Sequence, residues 1–117
     1  MSENYPDNNP KTIYGVQKDP LHLVPPPAIT AESYAFKQGA EKYGAYNWRG
    51  NSVAASVYYA AALRHIMAWW EGRDFDQDSG AHHLGHARAC LGIVLDAQCH
   101  GRLIDDRPVA TPPQEEF

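Results

Sequence analysis

Residues 52–72 read SVAASVYYAAALRHIMAWWEG, and this stretch decides the fold. Its apolar residues recur at helical spacing between Ser52, which can cap a helix, and Gly72, which can end one. The stretch therefore predicts one long helix. It carries four aromatic residues, Tyr58, Tyr59, Trp69 and Trp70. One flank of a small monomer would not bury them all, so we expect a homo-oligomer, a dimer or a tetramer, to complete the core.

Two more helices are expected on either side of this one. The first runs from Thr30 to about Tyr43, where Gly44 can end it, and the third is capped by Ser79 and ends at Gly101. No stretch shows the alternation of a strand. The sequence thus predicts an all-α fold, an antiparallel helical bundle of about three main helices.

Proline sets the two ends of the chain apart from this bundle. Six of the nine prolines lie in residues 1–29, and three of them are consecutive at 25–27. We therefore expect an extended N-terminal arm that docks along the domain through its apolar residues. Residues 30–106 form the helical domain, and residues 107–117, with three further prolines, read as a flexible tail.

Composition excludes several classes of protein. A chain of 117 residues with a net charge of -4 fits one compact domain without the basic face that a nucleic acid polymer or an anionic lipid requires. No apolar run reaches the ~18 residues of a membrane span, so a cytoplasmic location is expected. Cys90 and Cys99 stand about 13 Å apart along one helix, which predicts two free thiols.

An acidic loop flanked by histidines is the most informative cluster for function. It comprises His65, Glu71, Asp74, Asp76, Asp78, His82, His83 and His86. His86 follows His82 by four residues and His83 by three, so either pair shares a helix face and could chelate a metal ion. The loop lacks the central glycine and the closing glutamate of an EF-hand. The alternative is that these are solvated loop aspartates and surface histidines.

The donor types leave the identity of the metal open between Mg²⁺ and Mn²⁺. Carboxylates together with phosphate oxygens suit Mg²⁺, whereas imidazole ligands favour Mn²⁺ and similar ions. If the histidines act as acid or base instead of ligands, Mg²⁺ is sufficient. The chain has no glycine-rich phosphate loop and no convincing serine or cysteine nucleophile, so water is the expected nucleophile.

The loop between the first two helices is rich in cations and aromatic rings. It contains Lys42, Tyr43, Asn47, Trp48 and Arg49. Cations suit phosphates, and a nucleobase can stack on a tryptophan or a tyrosine. Arg64 supplies a third positive charge or pairs with Glu71 two turns further on. The alternative reading makes Trp48 a core anchor and leaves Lys42 and Arg49 as solvated charges.

Taken in order, these motifs resemble one family. They are Lys42-Tyr43-Gly44, Asn47-Trp48-Arg49, Arg64-His65, Trp69, Gly72, Asp76, Asp78-Ser79-Gly80, His83-Leu84 and His86-Ala87. The pattern resembles the phage dATP/dGTP diphosphohydrolase family, within the all-helical MazG and HisE group of nucleoside triphosphate pyrophosphohydrolases. The resemblance covers roughly residues 21–95.

That resemblance implies an enzyme that hydrolyses a purine (d)NTP to the monophosphate and pyrophosphate. MazZ-like members favour dGTP and GTP, so that dGMP can supply phage synthesis of 2-aminoadenine nucleotides. A viral enzyme acting in the host bacterial cytoplasm is then expected. A non-catalytic phage module that binds a nucleotide or a metal ion is the alternative.

The chain departs from the group's acidic motifs. Neither Glu-Glu-x-x-Glu nor Glu-x-x-Asp occurs, but His83 and His86 have the spacing of the second motif and His65 lies where the first would be. By this resemblance the expected metal ligands are His65, Asp76, Asp78, His83 and His86. The expected catalytic residues are His65, Asp78 and His86. The expected substrate contacts are Lys42, Tyr43, Asn47, Trp48, Arg49 and Arg64, the cations for the phosphates and the rest for the base or sugar.

Overall fold

The computed structural model describes residues 8–108, and most of them are helical. This confirms the all-α prediction. In chain order the elements are α1 (Pro10–Gly15), a 3₁₀ turn (Leu21–Leu23), α2 (Pro26–Tyr43), a second 3₁₀ turn (Asn47–Gly50), β1 (Val53–Ala54), α3 (Ala55–Trp70), α4 (His83–Cys99) and β2 (Leu103–Ile104). In the described part of the chain, no helix is both long and apolar enough to cross a membrane. Cys90 and Cys99 are free thiols, as predicted.

Helix α4 is the centre of the fold, because both α2 and α3 pack against it. The buried apolar residues between residues 8 and 108 are small, seven alanines and one valine. They are Ala35, Val53, Ala55, Ala62, Ala81, Ala87, Ala89 and Ala97. Small side chains let helix backbones approach closely, so the interior is thin and most large apolar side chains stay at the surface.

Helices α2 and α4 approach each other closely at Gly85 of α4. A Cβ atom at this position would lie 2.4 Å from the backbone oxygen of Ala31 on α2 and 3.3 Å from its Cβ. Backbone atoms cannot move aside as a flexible side chain would. Glycine at 85 therefore sets the distance between α2 and α4.

A short parallel sheet that the sequence pattern did not predict ties the two ends of the helical unit together. Val53 pairs with Leu103 and Ala54 with Ile104. Just beyond the sheet, the backbone N–H of Ser56 donates to Asp106 Oδ1 at 2.8 Å. The first turn of α3 thus bonds to a carboxylate fifty residues later in the chain, and the prediction that Ser52 caps this helix is wrong.

Two other helices begin at residues that differ from the prediction. Helix α2 starts at Pro26 and not at Thr30, because proline is tolerated in a first turn, where an N–H has no partner inside the helix. Helix α4 starts at His83 and not after Ser79, since His82 Nδ1 accepts from the Leu84 N–H at 3.0 Å and forms the cap.

The three predicted helix ends are confirmed, each by a glycine with positive φ. Gly44 has φ 92°, Gly72 has φ 93° and Gly101 has φ 68°. Other residue types rarely adopt this conformation.

The proline-rich arm differs from the expected extended, docked segment. Asn9 caps a short helix whose first residue is Pro10, which shows that proline can start a helix as well as prevent one. The apolar side chains of this arm are exposed, among them Ile13 at 55% and Leu21 at 74%, so they do not dock on the domain within this chain. Residues 1–7, and all of the predicted flexible tail except residues 107 and 108, lie outside the described range.

We predict that Gly85→Ala destabilises the protein by about 1–3 kcal/mol, the usual cost of overpacking a tight contact. The matched control is Gly39→Ala in α2, where an added Cβ meets nothing within 4 Å and φ is not positive. It should gain about 0.5–1 kcal/mol from helix propensity. Urea unfolding followed by circular dichroism measures both changes. Equal stability of the two variants would contradict the tight α2–α4 contact.

Candidate metal and nucleotide site

Three histidines meet where α3 ends and α4 begins. His65 Nδ1 lies 2.9 Å from His83 Nδ1. The rings of His65 and His86 stack with centroids 4.5 Å apart and planes 11° from parallel. This is the juxtaposition expected when a loop joins two antiparallel neighbouring helices. The structure thus brings together the three imidazoles that the sequence singled out.

A carboxylate from the connecting loop joins the histidines. Asp76 Oδ2 lies 3.8 Å from His86 Nε2. The loop is fixed by backbone hydrogen bonds, from the Asp76 N–H to the Ala81 oxygen at 2.9 Å and from the His83 N–H to the Asp74 oxygen at 2.8 Å. As a result, one donor atom from each of His65, Asp76 and His83 lies within 4.8 Å of the others. We call these three residues the metal cluster.

Asp78 lies next to the metal cluster but does not point a carboxylate into it. Its side chain is exposed, and its backbone N–H donates to Asp76 Oδ1 at 2.9 Å. The hydroxyl of Ser79 has the closer contact, with Oγ 2.6 Å from His86 Nε2. Ser79 belongs to the Asp78-Ser79-Gly80 motif, but its contact with His86 depends on a loop conformation that residue spacing does not predict.

The protonation states of His65, His86 and Asp76 suit metal binding. Burial lowers the pKa of His65, and the neighbouring His86 and His83 lower it further. Burial also lowers the pKa of His86. For Asp76 burial acts to raise the pKa, but the N–H of Asp78 and the three histidines outweigh it and the pKa is lowered. Neutral imidazoles beside an ionised carboxylate are the forms that ligate cations.

A cleft of about 800 Å³ runs from His86 between α2 and α4 to the Asn47–Gly50 turn. Aromatic side chains form much of its wall, including Phe36, Trp48 and Tyr58. The rings of Phe36 and Trp48 have centroids 5.4 Å apart. Tyr43 and Asn47, two predicted substrate contacts, also line the cleft. An aromatic pocket with a few polar groups is typical of a site for a small ligand.

At the far end of the cleft, one carboxylate of α4 binds the side chains of Trp48 and Arg49. Asp96 accepts from Trp48 Nε1 at 2.8 Å and from Arg49 Nε and Nη2 at 3.0 and 2.7 Å. The hydrogen bonds from Arg49, then the one from Trp48, lower the pKa of Asp96 to about 2. Arg49 also lies over the ring of Tyr46, with the guanidinium carbon 4.7 Å from the centroid. We call Trp48, Arg49 and Asp96 the latch.

The cations occupy positions that the sequence did not predict. Arg49 is engaged in the latch, and Lys42 Nζ lies over the Tyr43 ring, 5.5 Å from its centroid. Arg64 is exposed and has no hydrogen bond or salt bridge among residues 8–108. Its expected alternative partner, Glu71, forms a salt bridge with Arg73 at 3.6 Å.

Lys37 of α2 lines the cleft itself. It also borders a smaller polar pocket of about 200 Å³ next to Ser79. The sequence pattern did not identify Lys37 as a candidate substrate contact, because it lies inside a helix and outside the cation-rich loop. Its position in the cleft follows from how α2 packs on α4.

These observations define an all-helical protein in which an imidazole and carboxylate cluster adjoins an aromatic cleft. A sequence model of the family described as "dATP/dGTP diphosphohydrolase, N-terminal" matches residues 8–107, and the chain belongs to this family. The resemblance to the phage dATP/dGTP diphosphohydrolase family, inferred from the motifs, is thereby confirmed.

A relative from Salmonella phage PMBT28, a protein named "dATP/dGTP diphosphohydrolase", is 28% identical over 93 residues. The match covers 80% of this chain but 29% of the phage protein, so this chain spans less than a third of that relative's length. No solved structure matches the chain.

Proposed function

We propose that this protein hydrolyses a purine (d)NTP, with dGTP or GTP preferred, to the monophosphate and pyrophosphate with the help of a divalent metal ion. The observation that carries the proposal is the position of the metal cluster at the His86 end of the cleft. A ligand whose base lay along the aromatic wall would have its phosphates near that end. The family and the name of the Salmonella phage relative agree with this substrate class.

The donor set fits a divalent metal ion. His65, His83 and Asp76 offer two nitrogens and one oxygen, a mixture that suits Mn²⁺ better than Mg²⁺, which prefers oxygen ligands alone. His86 lies outside this group of three, with its ring stacked on that of His65, and the Asp78 carboxylate is exposed. A bound ion would polarise phosphate oxygens and make a water molecule more acidic.

The chain's own residues supply the remaining functions. The Ser79 hydroxyl accepts from the Ala81 N–H at 3.2 Å and lies 2.6 Å from His86 Nε2, so it orients that imidazole. Lys37 offers a positive charge to the phosphates from the α2 side of the cleft. Stacking of the base on the aromatic wall contributes about 1–3 kcal/mol to binding.

The proposed role is to supply dGMP for 2-aminoadenine nucleotide synthesis by a phage in the host bacterial cytoplasm. Support for the phage setting comes from the relative in Salmonella phage PMBT28.

The proposed active form is a homo-oligomer, a dimer or a tetramer. Tyr59, Ile66 and Trp70 share one face of α3 and are 61%, 38% and 80% exposed. A second copy of α3 would cover this apolar stripe. Size-exclusion chromatography with light scattering should give a mass of at least two chains of 13.0 kDa. Trp70→Glu should shift the population towards monomer, and a wild-type protein that is monomeric throughout would contradict this part of the proposal.

The reaction is tested by incubating the protein with each of the four dNTPs and with GTP, with Mn²⁺, with Mg²⁺ or with EDTA. We expect dGMP and pyrophosphate from dGTP, a higher rate with Mn²⁺ than with Mg²⁺, and no product with EDTA. Chromatography identifies the bond that is cut: dGDP and phosphate would contradict the proposal. Nucleotide binding without turnover would favour the alternative, a non-catalytic binding module.

The metal cluster is tested by His83→Ala, with His22→Ala as the matched control. His22 is exposed in the arm and lies outside the cluster. We expect His83→Ala to weaken Mn²⁺ binding by at least tenfold, about 1.4 kcal/mol, because it removes one of three clustered donors. Isothermal titration calorimetry without nucleotide measures this directly. Equal Mn²⁺ affinity of the two variants would refute the assignment.

A further inference from the structure

Helix α4 carries functional groups at both of its ends. His86 lies in its first turn and Asp96 lies ten residues later, which is about 15 Å along the helix axis at 1.5 Å per residue. Ala89, Cys90 and Ile93, between these two positions, line the cleft. A single rigid helix therefore fixes the spacing between the metal cluster and the latch.

The latch determines where Trp48 stands. The tryptophan sits in a short 3₁₀ turn, Asn47–Gly50, which makes only a few internal hydrogen bonds. Its indole is fixed by the bond from Nε1 to Asp96 and by contact with Phe36 and Tyr46, each with its ring centroid 5.4 Å away. A hydrogen bond to a charged acceptor is stronger than one between neutral groups, so Asp96 is the chief polar restraint on this ring.

Arg49 supports the same arrangement from the other side. Both of its hydrogen bonds go to Asp96, one to each carboxylate oxygen, which is the geometry in which guanidinium and carboxylate fit best. A guanidinium held in this way keeps the carboxylate ionised and oriented towards Trp48. The same two bonds use two of the five N–H donors of Arg49 and hold its guanidinium against Asp96.

We infer that Asp96 is a positioning residue that holds Trp48 as the wall on which the purine base of a bound nucleotide packs, with Arg49 as part of this support and not a phosphate ligand. The inference rests on the proposed function for the identity of the ligand. Beyond that function, it identifies Asp96 as the residue that positions the surface for the base. Asp96 lies ten residues along α4 from His86.

A positioning role for Asp96 and a purely structural role predict different changes in ligand binding. A loss of overall stability lowers the folded fraction and affects every ligand equally. A displaced Trp48 weakens ligands that carry a base and leaves the binding of inorganic tripolyphosphate unchanged, because tripolyphosphate has nothing to stack. The effect should also fall on KM and not on kcat, since the metal cluster lies at the other end of α4.

The test compares Asp96→Asn with the matched control Asp105→Asn. Asp105 is likewise a carboxylate held by an arginine, Arg107, and its pKa is also lowered to about 2, but its hydrogen bonds go to Arg107 and not to Trp48. For Asp96→Asn we expect the KM for dGTP and the Kd for dGMP to rise about tenfold, with kcat within twofold of wild type. Tripolyphosphate affinity should stay the same, and Asp105→Asn should match wild type in every measurement.

A second variant keeps the inference testable if Asp96→Asn folds poorly. Trp48→Phe keeps an aromatic ring beside Phe36, although a smaller one, and removes the N–H that donates to Asp96. If Asp96 acts through Trp48, the double variant Trp48→Phe with Asp96→Asn should be no weaker for dGMP than the weaker single variant. Fully multiplicative losses would overturn the inference.

The outcomes separate this inference from the proposed function. If wild type hydrolyses dGTP and Asp96→Asn has an unchanged KM, Asp96 is not a positioning residue and the proposed reaction stands. Equal weakening of dGMP and tripolyphosphate also overturns the inference. If wild type neither binds nor hydrolyses any purine nucleotide, the proposed function fails and the inference falls with it.

Discussion

The close contact between Gly85 and Ala31 constrains most of what surrounds it. With no side chain at 85, the backbones of α2 and α4 nearly touch, and α2 is brought close enough to form one wall of the cleft. Gly92, two turns further along α4, lies beside the ring of Phe36, which would make an ordinary van der Waals contact of 3.6 Å with an added Cβ. The aromatic wall and the metal cluster are therefore placed relative to each other by the same helix contact.

Local chemistry explains the parts of the fold that the sequence predicted. The ends of the main helices follow from Gly44, Gly72 and Gly101, because a positive φ is a property of the single residue. The meeting of His65 with His83 follows from the connection of residues 71–82, which places the end of α3 beside the start of its antiparallel neighbour α4. Such features depend on nearby residues only, and a pattern in the sequence is enough to predict them.

Long-range partners explain what could not be predicted. The sequence pattern assigns Trp48 and Arg49 to substrate, and their bonds to a carboxylate 48 and 47 residues away, respectively, have no sequence signature. The start of α4 was placed at Ser79 because a serine is a good cap, but His82 competes with it and Ser79 turns towards His86. Lys37 lies beside the cleft because α2 packs on α4, and no periodicity in the sequence predicts that packing.

The pairing of Val53 with Leu103 has a consequence for how the chain reaches its fold. Contacts across fifty residues carry a larger loop-closure entropy than the contacts within a helix or between neighbouring helices. The helices and the connection between α3 and α4 should therefore form early. The first turn of α3 should become stable only when Ser56 bonds to Asp106. During synthesis on the ribosome, α3 would keep a frayed start until the chain past residue 106 had emerged.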